Sequence, residues 1–218
     1  MANPLLQLIV KEFKIEYRQK YAINGILLFI LGTAFIAYLS FTHFIEPKTW
    51  NALFWIILLF SALSGIAKSF IQDSDGQKLF NYILLNPKHV IASKLIYNIV
   101  LLICIAFLQL LIFTLFLGFP VQSKMQYVLG LLFGCIGIGA TLTFISAIAS
   151  KAQNSSALMA VLSLPVLLPL FITLLRQTRN SIDGIDFGIN FKYLIIIVAI
   201  DLIVITLAYI LFPYLWRE

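Results

Sequence analysis

Six apolar stretches, each about as long as a bilayer is thick, make up most of this chain of 218 residues. A helix that crosses the hydrocarbon core needs roughly 20 mostly apolar residues. Backbone groups have no water partners in lipid, so only helices and closed barrels span it, and barrel strands would alternate in polarity. The sequence therefore predicts an all-α polytopic membrane protein with six transmembrane helices: Tyr21–Phe41, Trp50–Phe70, Val90–Phe119, Tyr127–Ser150, Ala157–Leu175 and Tyr193–Leu215.

The composition leaves little material for a soluble domain. Hydrophobic residues make up 61% of the chain and charged residues 11%, whereas soluble domains are roughly 45–50% apolar and about 25% charged. We therefore expect one membrane domain over residues 1–218. The net charge of +6 lies mostly near the ends of the predicted spans. It does not form the soluble basic face that a nucleic-acid-binding protein would present, so the expected surroundings are the lipid bilayer and no nucleic acid.

The N-terminal segment 1–20 alternates apolar and charged residues before the first span. Leu5, Ile9, Phe13 and Tyr17 follow each other at four-residue spacing, which places them on one stripe of a helix. This pattern predicts an amphipathic helix that lies in the membrane interface. The alternative is a solvated extension of the first span.

The distribution of Lys and Arg predicts the orientation, because cytoplasmic loops carry the excess of positive charge. With the N-terminus and C-terminus in the cytoplasm, ten positive residues face the cytoplasm and five face the other side, which accounts for all 15. The ten are Lys11, Lys14, Arg18, Lys20, Lys68, Lys78, Lys88, Lys94, Lys151 and Arg217, and the five are Lys48, Lys124, Arg176, Arg179 and Lys192. The predicted location is a membrane that the chain crosses several times. The segment Arg176–Lys192 is expected to be either a small amphipathic element on the outer surface or an irregular loop.

The segment 71–89 is the most unusual one between two spans. Asp73 and Asp75 precede Gly76, a turn and helix-start signal, because Asp side chains cap free N–H groups. Gln77–Leu85 is predicted to be a short helix that stops before Pro87, since the residue before a proline disfavours the helical region. Such a cytoplasmic helix either docks a soluble partner or re-enters the membrane without one.

Asp201 is the one acid predicted to lie deep within a span, where an ionisable residue marks a functional hypothesis. We expect it to accept a hydrogen bond from Asn98, Gln109 or Thr141. The alternatives are a direct role in transport and a position nearer the outer surface. Pro165 and Pro169, four residues apart in the fifth span, each remove a backbone donor and predict a kinked helix.

Residues that would form a catalytic or metal site are not recognisable in the sequence. A Walker A pattern is absent, so ATP hydrolysis is not expected on this chain. His43 and His89 are predicted on opposite sides of the membrane, and His43 is expected to be a polar end group and not a ligand. Cys104 and Cys135 lack paired spacing and are read as packing residues. Gly130 and Gly134 form a small-residue face that favours close helix packing.

Together these features resemble the haem exporter protein B family (CcmB), the B-type membrane subunit of the cytochrome c maturation system. The most specific segments are Phe70–Leu95 and Leu162–Phe171. The first matches the family pattern of acidic residues, a glycine, a helix ending at proline and a following lysine, at Asp73, Asp75, Gly76, Pro87 and Lys94. Asn86 replaces the usual serine, and the spacing of Pro165 and Pro169 also fits.

The resemblance implies a permease subunit of an ABC transporter, similar to the type-2 exporter permeases. Its implied partners are a separate ATPase subunit, a haem-handling membrane subunit and a small single-span subunit. Haem is then a substrate of the complex and not a cofactor of this subunit. The role is either haem delivery or export, or ATP-driven release of a haem-loaded chaperone. Residues that would couple to the ATPase are Asp73, Asp75, Gly76, Leu79, Phe80, Tyr82 and Pro87.

Three other functions fit the sequence less well. An ABC exporter permease for a different substrate, such as a lipid, drug or polysaccharide, shares the predicted architecture. An integral-membrane enzyme would need convergent His or acid residues at membrane depth, and only Asp201 meets that condition. A membrane scaffold without transport would have no need of Pro165, Pro169 or Asp201.

Overall fold

The structure is a computed structural model that describes residues 4–18, 20–41, 45–66, 86–150 and 155–217. These residues form seven helices and no strand. The helices are α1 Pro4–Arg18, α2 Lys20–Ser40, α3 Pro47–Ile66, α4 Pro87–Leu117, α5 Lys124–Ala149, α6 Ser155–Ile182 and α7 Phe187–Arg217.

Five of these helices, α3 to α7, are long and apolar enough to cross a membrane. In α2 the apolar part that the structure describes fully, Asn24–Ser40, is shorter than the other five. The all-α prediction and the membrane setting are thereby confirmed. The count of six spans stays a prediction.

Helix α5 is the centre of the bundle and packs against α3, α4, α6 and α7. Its glycines explain this position, because a Cβ atom at Gly134 would come within 2.9 Å of both Leu174 of α6 and Trp55 of α3. A Cβ at Gly139 would lie 3.3 Å from the Cα of Ile99 in α4. The prediction that the glycines of this span serve helix packing is confirmed, since small residues let helix backbones approach closely.

The two ends of the bundle are defined by which helix ends meet there. We call the end with α1 the α1 side; there, Lys88 at the start of α4 lies next to Tyr209 near the end of α7. At the opposite side, Asn51 of α3 bonds to Thr178 near the end of α6. Gln126 at the start of α5 bonds there to Asn190 at the start of α7. Consecutive helices from α3 to α7 therefore run in alternating directions.

The turn between α6 and α7 is much shorter than predicted. Both interpretations of Arg176–Lys192 were wrong, because α6 continues to Ile182 and α7 begins at Phe187. Gly184 ends α6 in the left-handed region at φ 71°, where a side chain is strained. Ile185 N–H then donates to the Asn180 carbonyl oxygen at 2.9 Å.

Candidate functional site

On the α1 side, helix α1 is attached to α4 by a buried ion pair. The Lys94 ammonium lies 3.6 Å from the Glu12 carboxylate, and the two side chains are 3% and 16% exposed. Beside them the ring of Phe13 meets the ring of Tyr97 edge-on, with centroids 5.0 Å apart. Two charges removed from water hold their places only where they compensate each other, so this pair fixes the register of α1 against α4.

The apolar stripe predicted for α1 only partly describes how the helix packs. Leu5 and Ile9 are half-buried, whereas Phe13 is 43% exposed despite its contact with Tyr97. Among the described side chains of α1 the buried apolar one is Leu8, which was not on the predicted stripe. The side chain of Tyr17, the last residue of that stripe, lies outside the described ones. The face of α1 toward α4 therefore centres on Leu8 and Glu12, and Leu6 and Val10 remain exposed on the other face.

Most of the predicted coupling residues lie outside the described residues: Asp73, Asp75, Gly76, Leu79, Phe80 and Tyr82. His43 lies outside them as well. Pro87 is described and is the first residue of α4, so that residues 87–89 of the predicted coupling loop belong to this helix. The preceding Asn86 caps α4, because its side-chain oxygen accepts a hydrogen bond from the Lys88 N–H at 3.0 Å.

Asp201 lies in the middle of α7 and faces the protein interior. The residue is 3% exposed, and a Cβ at Gly137 would overlap its Oδ1 atom. That same Cβ would lie 2.8 Å from Leu170, so the carboxyl group sits where α5, α6 and α7 meet. This burial agrees with the expectation that Asp201 faces the interior of the bundle.

Two of the hydrogen-bond partners predicted for Asp201, Asn98 and Gln109, donate to other groups. Asn98 donates to Thr143 at 2.9 Å, and Gln109 donates to the Phe54 carbonyl oxygen at 2.7 Å. Among the described residues no hydrogen-bond partner reaches either carboxyl oxygen of Asp201. A buried carboxyl group without such a partner is costly, which singles it out as a residue that packing alone does not account for.

Helix α6 passes through Pro165 and Pro169 without ending. Each proline leaves the carbonyl oxygen four residues earlier without its helical donor. One turn further on, the Thr173 hydroxyl donates to the carbonyl oxygen of Pro169 at 2.9 Å. A third proline inside a helix, Pro213 of α7, was missed by the sequence reasoning.

The opposite side carries a buried network of uncharged polar groups, which the sequence reasoning also missed. Asn190 Nδ2 donates to Gln126 Oε1 at 2.7 Å and lies 3.1 Å from the Ser181 hydroxyl. Gln177 Nε2 donates to the Gln126 carbonyl oxygen at 2.8 Å. Asn190, Gln177 and Ser181 are fully buried. We call these four residues the amide network; it ties the ends of α5, α6 and α7 together.

The amide network depends on the glycine at position 130. A Cβ atom there would overlap the side-chain amide of Gln177. Next to the network, the Thr178 hydroxyl accepts hydrogen bonds from Asn51 at 3.0 Å and from the Trp55 indole at 3.3 Å. The four-residue spacing of Gln177 and Ser181 is the signal that would have revealed a buried helical face beyond Leu175.

Side chains suited to a metal do not gather in the part of the chain that the structure describes. In that part no three His, Cys, Asp or Glu residues lie close enough to hold an ion. Cys104 is exposed on α4 and Cys135 is buried in α5.

The architecture defines a class: a polytopic helical membrane protein whose buried polar groups join helices. Within this class the family is shown by sequence, because the family model described as CcmB protein matches residues 3–213. The chain therefore belongs to the CcmB family, which confirms the predicted resemblance. No curated protein matches the chain. Membership implies a permease component of the haem exporter of cytochrome c maturation, in an ABC transporter complex with other subunits of that system. This family is one of transporter permeases and not of enzymes.

Proposed function

We propose that this chain is the membrane permease subunit that an ABC ATPase drives during cytochrome c maturation. The family match carries this proposal. In the proposed arrangement, six spans of the type-2 exporter kind cross the bacterial inner membrane, with both termini in the cytoplasm. The predicted distribution of Lys and Arg, ten residues toward the cytoplasm against five toward the other side, supports this orientation.

The α1 side is the proposed place where the ATPase subunit acts. The segment 71–85 connects to α4 at Pro87, and α4 in turn holds α1 through Lys94 and Glu12. If the ATPase displaced this connecting segment, α1 and α4 would therefore move together. Asp73, Asp75, Gly76, Leu79, Phe80 and Tyr82, with Pro87, are the proposed contact residues.

Within the membrane, Asp201, Pro165 and Pro169 are the proposed elements of the conformational change. The two prolines leave α6 with fewer backbone hydrogen bonds, and Asp201 lies against α6 beside Leu170. A helix with missing hydrogen bonds bends at less cost than its neighbours. The complex would use this movement for haem delivery or for release of a haem-loaded chaperone, with haem as the substrate.

Copurification from detergent-solubilised membranes tests the proposal. Tagged wild-type protein is expected to retain a soluble ATPase subunit, a haem-handling membrane subunit and a small single-span subunit, identified by mass spectrometry, and to stimulate ATP hydrolysis. Phe80→Lys is expected to lose the ATPase. Met125→Lys is the matched control, since this apolar residue is 74% exposed on the opposite side.

Three results distinguish the outcomes. Loss of the ATPase with Phe80→Lys alone supports the proposed contact. Recovery of an ATPase without haem-pathway subunits would instead indicate an exporter of another substrate. Failure to recover an ATPase from wild-type membranes in which other ABC complexes stay intact would overturn the proposal.

A further inference from the structure

A cavity of about 300 Å³ opens between the start of α4 and the end of α7, on the α1 side of the bundle. Lys88, Tyr209, Ile210, Pro213 and Tyr214 line it. The Lys88 ammonium lies 5.5 Å from the centroid of the Tyr209 ring. A cation over an aromatic face is attracted by the ring quadrupole, so this contact favours positions of the exposed Lys88 side chain at the cavity.

The other residues that line the cavity combine apolar side chains with tyrosine hydroxyl groups, a composition that suits a membrane interface. Ile210 is 54% exposed and Tyr214 is 68% exposed, so an apolar and an aromatic surface continue from the cavity into the lipid layer. Tyrosine rings prefer this depth, because the ring is apolar and the hydroxyl is wet. Of the described residues that line the cavity, none is acidic.

Buried apolar residues pack together the two helices that line the cavity. Val90 of α4 and Ala208 of α7 belong to one buried apolar cluster, together with Ala140 of α5. The Lys88 N–H is already bound by Asn86, so the backbone amide of this residue is not the free donor. The side chain of Lys88 is therefore the group that remains available to a ligand.

We propose that this cavity is a binding site for an anionic phospholipid. The Lys88 ammonium would hold the headgroup phosphate, and an acyl chain would lie along Ile210 and Tyr214. Basic pockets between helices at the membrane surface bind acidic headgroups in this manner. The proposal does not depend on which substrate the transporter moves.

Native mass spectrometry of the detergent-purified protein tests the site, with phosphatidylglycerol and phosphatidylcholine of identical acyl chains as probes. The wild-type protein is expected to retain more phosphatidylglycerol than phosphatidylcholine. Lys88→Ala should lower retention of phosphatidylglycerol about fivefold, the effect of about one basic residue at a membrane surface. Tyr209→Leu should lower it less, because the lysine remains but loses the ring that holds it.

Lys124→Ala is the matched control, since Lys124 is an exposed lysine at a helix start on the opposite side. It should leave phosphatidylglycerol retention unchanged. Equal losses for Lys88→Ala and Lys124→Ala, or no preference for phosphatidylglycerol in the wild-type protein, would overturn the site. Displacement of the lipid by millimolar inorganic phosphate would overturn it too, because it would show an anion site that has no need of the acyl chain.

Discussion

The two ends of the bundle are held together by different chemistry. On the opposite side, the amide network of Gln126, Gln177, Ser181 and Asn190 joins three helices through uncharged groups. On the α1 side, α1 is joined to α4 by the Glu12–Lys94 ion pair and by the contact between Phe13 and Tyr97. The amide network distributes its bonds over three helices, so several of them must break before these helix ends separate. We therefore expect α1 to open at a lower free energy than the amide network.

The largest expected effect is that of Gly130→Leu, which tests the amide network on the opposite side. Even a Cβ at this position overlaps Gln177, so a leucine must displace the amide network and separate α5 from α6. We expect a loss of about 3 kcal/mol in the free energy of unfolding, from overpacking together with broken hydrogen bonds. Thermal unfolding in detergent, followed by tryptophan fluorescence, measures it. Gly32→Leu is the control, because a Cβ at Gly32 of α2 meets no atom within 4 Å, and similar losses for both variants would contradict the assignment.

The α1 side is tested by Glu12→Leu, which removes the carboxylate that lies 3.6 Å from the buried Lys94 ammonium. We expect the local stability of α1 to fall by about 2 kcal/mol, less than the roughly 3–5 kcal/mol of a fully buried pair, because Glu12 keeps some contact with water. Hydrogen exchange of the α1 amides reports this opening separately from global unfolding. The double variant Glu12→Leu with Lys94→Met should return to within about 1 kcal/mol of the wild-type value.

An exposed ion pair on the opposite side serves as the control for Glu12→Leu. Lys48 and Glu46 lie 3.7 Å apart, with side chains 59% and 62% exposed. Exposed pairs contribute about 0–1 kcal/mol, so Glu46→Leu should leave hydrogen exchange almost unchanged at both ends. Unchanged protection of α1 in Glu12→Leu would show that the buried pair does not hold the helix.

The sequence predicted what depends on local periodicity and missed what depends on pairing. The apolar runs and the packing role of Gly130 and Gly134 followed from spacing within one helix. The end of α6 was misplaced because residues 176–181 are polar, and the segment Arg176–Lys192 was predicted to be a small surface element or an irregular loop. In the structure, Gln177 and Ser181 face inward, where Gln177 Nε2 donates to the Gln126 carbonyl oxygen and the Ser181 hydroxyl accepts from Asn190. That compensation comes from two other helices, and no local pattern contains it.

The same reasoning applies to Glu12 and Lys94, which are far apart in the chain. Lys94 was counted for topology and for the family pattern, and Glu12 was read as one charge of an amphipathic helix. Their contact required the three-dimensional packing of α1 on α4. For Asp201, none of the hydrogen-bond partners predicted from the sequence reaches the carboxyl oxygens, and the side chain lies against Gly137, which has no side chain to donate a bond.

A narrower test of the amide network is Asn190→Ala. The Asn190 amide lies within hydrogen-bond distance of Gln126, of Ser181 and of the Gln177 carbonyl oxygen. Interhelical hydrogen bonds in membranes average about 0.6 kcal/mol and reach about 1.7, so we expect a loss of about 1.5 kcal/mol in the free energy of unfolding. Asn180→Ala is the control, since Asn180 is half-buried and its amide meets Asn190 Oδ1 at 3.3 Å. A larger loss for Asn180→Ala would mean that the network is not centred on Asn190.

The smallest expected effect separates the aromatic contact of α1 from its ion pair. Phe13→Ala removes the ring that meets Tyr97 at 5.0 Å and leaves the Glu12–Lys94 pair in place. Aromatic pairs contribute about 0.5–1.5 kcal/mol beyond their buried area, and Phe13 is 43% exposed. We therefore expect hydrogen exchange to show a loss of about 0.7 kcal/mol in the local stability of α1. Val10→Ala truncates a side chain that is 57% exposed on the same helix and should change this value little, because alanine does not lower helix propensity at either position; an equal loss would mean that the contact with Tyr97 does not specifically stabilise α1.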